Sequence, residues 1–158
     1  MVFNHYDLEI ERYSAQFGVE ANFVRAIIQQ ESNWDIYAMR YEPEWSYFFP
    51  FHSNSTADTE TALQQFSYGL GQLMGSVYRE LGYKDSFGQI FNVETQIFYL
   101  CKNLEKISNK TKKPDEIFAC YNGGVGALLK EKDGKFPNQA YVDSAMSHLI
   151  SYRGKYGD

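Results

Sequence analysis

The feature that most constrains this chain is an apolar periodicity of three and four residues, which recurs along most of its length. Side chains at that spacing share one face of an α-helix, and the apolar faces must be buried against one another. The pattern predicts helices over about residues 6–17, 21–33, 72–82, 93–108 and 114–124, a short helix through Leu129, and a last helix after Pro137. We therefore expect a single all-α domain over residues 1–158.

Residues 35–66 interrupt this helical pattern. The segment contains Pro43, Pro50, many aromatic residues and a polar run from His52 to Thr61. Long loops within a compact domain are commonly functional or mobile. The sequence therefore predicts an insertion with short elements of its own between the second helix and the following glycine-rich segment.

The charge balance excludes some partners. The formal net charge is -5 and the basic residues are scattered, which argues against nucleic acid as the main partner. No apolar stretch approaches the roughly 18 residues that a membrane span requires. The first residues also lack the features of a signal peptide. We expect no membrane insertion, and a monomer is the default.

The cysteine and histidine residues carry no metal pattern. Cys101 and Cys120 form no C-x-x-C pair, and the three histidines are isolated. Two buried free thiols are expected in place of a disulfide, although a bond between the two remains an alternative. The sequence predicts no metal site.

Glu31 is the carboxylate with the most informative position. It follows Val24, Ile27 and Ile28 by seven, four and three residues, which places it on the apolar face of the second helix. It also lies in the last helical turn, where the helix dipole disfavours negative charge. Burial and the dipole both raise the pKa of a carboxyl group, which suits a general acid. The alternative is a terminal glutamate that turns to solvent.

Two glycine-containing segments lie next to predicted helices. The first runs from Ser67 to Met74 with the sequence SYGLGQLM, and the second is CYNGG at residues 120–124. Glycines here allow a close backbone approach, either to another helix or to a ligand. Gln72 is a candidate hydrogen-bonding partner for a sugar amide or hydroxyl. A purely structural turn explains either segment equally well.

Taken in order, these segments resemble the soluble-type lytic transglycosylases, which are related to goose-type lysozyme. Glu31-Ser32 resembles the pair that carries the family's catalytic glutamate, and residues 69–74 resemble its Gly-Leu-Met-Gln segment. Residues 120–124 resemble its Ala-Tyr-Asn segment, and Tyr141-Val142 a pair on its last helix. The resemblance covers about residues 10–150 and implies a lysozyme-like domain.

The resemblance also implies a function and a set of site residues. The expected partner is the glycan strand of peptidoglycan, and no cofactor or metal is required. Glu31 is the expected catalytic acid and base, which yields a 1,6-anhydromuramic product. The expected substrate-binding residues are Ser67, Tyr68, Gln72, Met74, Tyr121, Asn122, Tyr141 and Glu42.

The chain departs from the family pattern at several positions. Gly71 replaces a methionine, Cys120 replaces an alanine, and Leu63 stands where the family has a serine. Ser67 or Thr61 is the candidate replacement for that serine. The insertion, with YEPEW at residues 41–45, resembles a variant common in bacteriophage cell-wall enzymes. This resemblance indicates a phage or prophage enzyme, acting as an endolysin or as a virion component.

Three alternatives remain open at this point. A hydrolytic muramidase would need a second acid, for which Glu42 is preferred over Glu44, Asp58 and Glu60. A chitin-cleaving enzyme would act on similar sugars. A non-catalytic glycan-binding or virion module would use the same groove, with Glu31 as a polar lining group.

Overall fold

The computed structural model describes residues 6–51, 56–129 and 133–157. These residues form seven α-helices, two short 3-10 helices and one small sheet. The α-helices are α1 Asp7–Phe17, α2 Ala21–Ser32, α3 Ala57–Gln64, α4 Gly75–Glu80, α5 Val93–Ser108, α6 Pro114–Gly123 and α7 Gln139–Tyr156. The 3-10 helices are Phe87–Gln89 and Val125–Leu128. None of the described helices is long and apolar enough to cross a membrane.

The predicted all-α class is confirmed: the described residues are mostly helical, with one small three-stranded sheet. Helix α5 has the predicted bounds, and its N-cap Asn92 accepts a hydrogen bond from the Thr95 backbone. Helix α6 begins at Pro114, whose missing N–H costs nothing in a first turn. Helix α1 ends at Gly18, which has the left-handed conformation typical of a helix C-cap.

The helical periodicity does not predict the small sheet. Strands β1 Met39–Tyr41, β2 Phe66–Tyr68 and β3 Leu73–Met74 pair antiparallel in the order β1-β2-β3. Because β3 contains Leu73 and Met74, helix α4 begins at Gly75, so the predicted start near Gln72 is wrong. Strands of two or three residues are too short to show an alternating pattern in the sequence.

The insertion supplies β1, α3 and the first residue of β2, while residues 52–55, which include His52, lie outside the described residues. Register pairs Arg40 with Ser67 and Tyr41 with Phe66, so the insertion folds back onto the glycine-rich segment. A buried ion pair holds α3 against α4, with Arg79 Nε donating to Glu60 at 2.8 Å. The insertion is therefore an integral wall of the domain.

Two apolar cores support this arrangement. The main core is formed by α1, α2, α5, α6 and α7, with fully buried Ile27, Leu100 and Leu149. The second core lies beneath the sheet and consists of Tyr68, Leu73, Tyr78, Tyr83, Phe87 and Ile90. Cys101 and Cys120 are free and buried, as predicted. The end of α2 lies where the helical core meets the sheet.

Candidate active site

A cleft of about 560 Å³ lies between the sheet, α5, the end of α6 and the end of α2. It is large enough for several sugar-sized groups. The predicted site residues that line it are Glu31, Glu42, Ser67, Gln72, Met74, Tyr121 and Asn122. The structure thus brings together residues that are up to 91 positions apart in the chain, from 31 to 122.

Glu31 lies half-buried at the wall of this cleft, in the last turn of α2. Its Oε1 accepts a 2.6 Å hydrogen bond from the hydroxyl group of Tyr141 on α7. Burial raises the pKa of Glu31, and the Tyr141 hydrogen bond and the Arg40 charge offset part of that rise. The carboxyl group is thus held at the cleft with an increased tendency to keep its proton.

Ser32 connects the end of α2 to the glycine-rich segment. Its Oγ lies 2.9 Å from the carbonyl oxygen of Leu70, to which it donates. The Leu70 N–H in turn donates to Gln96 Oε1 at 2.7 Å. A Cβ atom on Gly69 would lie 2.2 Å from the Gln96 side chain, so this close approach requires glycine. The end of α2, which carries Glu31, is therefore joined directly to the glycine-rich loop.

Gln72 does not present a free amide to the cleft. Its Nε2 donates to the carbonyl oxygens of Ala38 at 3.1 Å and Gly69 at 2.9 Å. Its Oε1 accepts a 2.8 Å hydrogen bond from Ser67 Oγ. The residue also has a positive φ of 48°, which this network stabilises. The amide of Gln72 and the hydroxyl group of Ser67 therefore hold the loop in shape, and the expected sugar contact of Gln72, which lines the cleft, stays a prediction.

Tyr68 is a correction among the predicted substrate-binding residues. Its ring is buried in the second core, where it stacks on Phe87 at 5.3 Å, and its hydroxyl donates to the Leu63 carbonyl oxygen at 2.7 Å. On β2 the side chains alternate, so Ser67 faces the cleft and Tyr68 the core. Leu63, at the position of the family serine, packs against the same core. Thr61 is exposed on α3, away from the cleft lining.

Helix α6 supplies the other wall. The Tyr121 hydroxyl donates to the Gly71 carbonyl oxygen at 2.5 Å, which joins α6 to the glycine-rich segment. Burial and the nearby charge of Glu31 raise the pKa of Tyr121 well above its usual value, so it remains a neutral donor. Asn122 is exposed at the cleft, and its Oδ1 accepts a 2.9 Å hydrogen bond from Asn138. Gly124, with φ of 69°, ends the helix there.

The acidic residues of the insertion have different environments. Glu42 and Glu44 line the cleft, and the carboxylate of Glu42 forms an ion pair with Arg40. Glu60 is buried in its pair with Arg79, and Asp58 is exposed on α3. Neither Asp58 nor Glu60 lies in the cleft, so both are excluded as second acids.

The sequence analysis did not identify several of the residues that line the cleft. The additional residues with charged or aromatic side chains are Arg40, Trp45, Glu80, Lys106 and Lys110. Lys106 and Lys110 are four residues apart in the chain. Residues at this spacing lie on the same side of a helix, so the sequence could have indicated that both face the cleft from the end of α5. Arg40 lies on the short strand β1, whose three residues are all exposed, so no alternation in burial distinguishes it. Burial raises the pKa of Cys120, so the thiol at this cleft is protonated and not a nucleophile.

The chain is similar to known proteins over most of its length. The family model described as "Transglycosylase SLT domain" matches residues 9–142. Curated relatives named "Membrane-bound lytic murein transglycosylase C", from Histophilus somni and Shigella sonnei, are 26% identical over 147 residues. Those matches cover 82% of this chain but 36% of each relative, so the chain spans about a third of their length.

A solved structure has the same fold. The X-ray structure of an inactive mutant of the lytic transglycosylase Slt from Pseudomonas aeruginosa superposes with a TM-score of 0.65 and 20% sequence identity. The superposition covers 94% of this chain and 24% of that chain. The architecture around the cleft is therefore a known one, shared with a single part of a larger protein.

Proposed function

Because the chain belongs to the family of transglycosylase SLT domains, we propose that it cleaves the glycan strands of peptidoglycan as a lytic transglycosylase, with Glu31 as its single general acid and base. The bond broken is the β-1,4 linkage between N-acetylmuramic acid and N-acetylglucosamine. The product is a 1,6-anhydromuramic end.

The observation that carries this proposal is the environment of Glu31. Its carboxyl group is half-buried at the wall of a cleft, is hydrogen-bonded by Tyr141, and has a raised pKa because of burial. Glycosidic cleavage requires a proton for the leaving oxygen, and a carboxyl group that retains its proton near neutral pH supplies it. A surface glutamate without a cleft would not fit this role.

In the proposed reaction Glu31 first donates its proton to the oxygen that joins the two sugars, and the bond from that oxygen to C1 of the muramic sugar breaks. The resulting carboxylate then takes the proton of the muramic C6 hydroxyl group as its oxygen bonds to C1. Glu31 is protonated again at the end, and no water is consumed. The acetamido oxygen of the muramic sugar would stabilise the positive charge that develops at C1.

The remaining site residues have two kinds of role in this proposal. Met74, Tyr121 and Asn122 line the cleft and would contact the sugars. Ser67 and Gln72 would act indirectly, since their hydrogen bonds to each other hold the loop that forms the cleft floor. Tyr141 would orient the Glu31 carboxyl group through its hydrogen bond.

The ion pair between Glu42 and Arg40 favours a reaction with a single acid over the hydrolytic reaction. A hydrolytic muramidase needs a second carboxylate, free to activate water or to attack the sugar. The carboxylate of Glu42 is engaged by Arg40 in an ion pair. Glu44 also lines the cleft, so product analysis is required to decide between the two reactions.

The test is mass spectrometry of the products released from purified sacculi in water enriched in 18O. We expect anhydro ends without 18O from the wild type and no products from Glu31→Gln. The matched control is Glu94→Gln, which removes a carboxylate from an exposed ion pair with Arg12. This control should retain full activity.

Each other outcome would contradict part of the proposal. Reducing ends that carry 18O would identify a hydrolytic muramidase. Activity in Glu31→Gln equal to the wild type would remove Glu31 from the reaction. Absence of products from folded wild type, together with retention of the protein on sacculi, would identify a non-catalytic binding module.

The delivery of the enzyme is a separate proposal. We infer a phage or prophage role from the resemblance of YEPEW at residues 41–45 to phage cell-wall enzymes. Detection of the protein in purified virions would support a virion component. Its presence only in the lysate of infected cells would support an endolysin, and expression without any phage would contradict both.

A further inference from the structure

Arg40 and Glu42 form a charged pair on the wall of the cleft that also holds Glu31. All three residues of β1 are exposed, and of these Arg40 lines the cleft. Arg40 Nε donates to Oε1 of Glu42. The pair therefore lies on the solvent-exposed wall of the cleft.

The position of Glu42 is fixed by the backbone around it. Its N–H donates to the Gln65 carbonyl oxygen at 2.9 Å, and its carbonyl oxygen accepts a 3.0 Å hydrogen bond from the Trp45 N–H. The indole of Trp45 donates to Ser76 Oγ at 2.9 Å, which ties this turn to α4. The backbone of Glu42 is thus held next to Arg40 by contacts that do not depend on the ion pair.

Three elements present polar groups to Glu31. Helix α7 presents the Tyr141 hydroxyl, helix α6 presents Tyr121, and strand β1 presents Arg40. The two tyrosines are neutral donors, because their pKa values are raised well above the usual value. Arg40 is the cation whose charge acts on Glu31. The other charged residues of the lining are Glu42, Glu44, Glu80, Lys106 and Lys110, of which Glu80 and Lys106 are paired with each other.

A cation beside an acid catalyst has an unfavourable effect. It stabilises the ionised carboxylate, whereas proton donation requires the protonated form. A full ion pair between Arg40 and Glu31 would keep Glu31 ionised at neutral pH. Glu42, which directly follows strand β1, provides another carboxylate with which Arg40 forms an ion pair.

We propose that Glu42 is a positioning residue: it holds the Arg40 guanidinium on the cleft wall and so prevents Arg40 from pairing with Glu31, which leaves Glu31 able to donate its proton. This inference rests on the proposed role of Glu31 as the acid. It assigns Glu42 a function that differs from a second catalytic acid. The side chain of Arg40 is 71% exposed and that of Glu42 is 32% exposed, so the effect is expected to be moderate and to weaken with salt.

The test is a double-mutant cycle read as the pH dependence of sacculus cleavage. In Glu42→Gln, Arg40 is released toward Glu31, and the alkaline limb of activity should move to lower pH by about half a unit. In Arg40→Gln the cation is absent, and the limb should move to higher pH. When Glu42→Gln is added to Arg40→Gln, the further shift should be clearly smaller than in the wild-type background.

Two results would overturn the proposal. An equal shift from Glu42→Gln in both backgrounds would mean that Glu42 acts on Glu31 directly by its own charge. A loss of activity by the same factor at every pH, with an unchanged unfolding midpoint, would mean that Glu42 takes part in the chemistry. Glu94→Gln serves as the control for removal of a paired carboxylate outside the cleft and should leave the profile unchanged.

A direct titration separates this inference from the proposed function. The carboxyl carbon of Glu31 can be followed by 13C NMR in each variant, with Glu31→Gln used to assign the signal. The midpoint should fall in Glu42→Gln and rise in Arg40→Gln, whether or not the protein cleaves sacculi. Unchanged midpoints would contradict the positioning role and leave the proposed function standing. An active Glu31→Gln would contradict the proposed function, and shifted midpoints would then show only that Glu42 controls the charge beside Glu31.

Discussion

The hydroxyl group of Tyr141 on the last helix donates a 2.6 Å hydrogen bond to the carboxyl group of Glu31 at the end of the second helix. The two residues are 110 positions apart in the chain. Helix α7 packs against α2, and this packing sets the geometry of the pair. The orientation of the proposed acid therefore depends on the C-terminal helix as well as on its own.

Tyr141→Phe should raise the pKa of Glu31 further, because the lost hydrogen bond stabilised the ionised carboxylate. Glu31 would then stay protonated to higher pH, and the alkaline limb of activity should move up by about one unit. The maximal rate should fall, since the carboxyl group loses its fixed orientation. Tyr37→Phe, at a tyrosine that is 71% exposed, is the control. An unchanged limb would show that the hydrogen bond does not influence the reacting carboxyl group.

Gln72→Ala should lower the free energy of unfolding by about 2–3 kcal/mol, because three internal hydrogen bonds are lost. Activity should fall as the loop loses its shape. The measurement is chemical denaturation, with Gln89→Ala as an exposed control that should change stability by less than about 0.5 kcal/mol. Full stability with weakened substrate binding would instead indicate that Gln72 contacts the sugar.

Gly71→Ala should destabilise the protein by about 1–3 kcal/mol. A Cβ atom at this position would lie 2.9 Å from the Tyr121 hydroxyl group and 3.1 Å from Leu100, so Tyr121 must move from the Gly71 carbonyl oxygen that it contacts. Thermal unfolding measures the loss. Adding Tyr121→Phe to the alanine variant should cost less than the same change in the wild type. An unchanged thermal unfolding midpoint in Gly71→Ala would show that the loop moves enough to accommodate the added methyl group without cost.

Arg79→Met should destabilise the protein by about 3–5 kcal/mol, since it leaves the Glu60 carboxylate buried without its ion-pair partner. Arg79 also donates to the carbonyl oxygens of Tyr83 and Asp85, both at 2.9 Å. The double variant Arg79→Met with Glu60→Leu should recover part of the loss, because the buried carboxylate is removed as well. Equilibrium unfolding in urea measures the stability of both variants. If Arg79→Met were as stable as the wild type, the ion pair would not be needed for stability.

The helical part of the fold could be predicted because its signal is local. Helix α5 places Ile97, Leu100 and Leu104 on one face over sixteen residues, and such a long periodic run has one interpretation. The position of Glu31 follows from the same reasoning, since its distance from Ile27 and Ile28 fixes its side of α2. The inference that this carboxyl group is partly removed from water is confirmed.

The rest of the site could not be predicted because it depends on contacts between distant segments. The amide of Gln72 has the chemistry to bind a sugar, and only the folded chain shows that Ala38, Gly69 and Ser67 already occupy it. The position of Tyr68 could not be predicted either. A strand of three residues is too short for an alternating pattern that would show which face of the sheet the Tyr68 side chain occupies. The motif identifies the loop correctly but not which of its atoms are available.

The turn around Glu42 and Trp45 forms one wall of the cleft. The carboxyl group of Glu31 lies on α2, and its hydrogen-bonding partner Tyr141 lies on α7. Under the proposed function, contact with the glycan would therefore depend partly on this turn, while the proton transfer would depend on α2 and α7. A shorter or longer turn that keeps Glu42 beside Arg40 would thus change the footprint on the polymer and leave the groups around Glu31 in place.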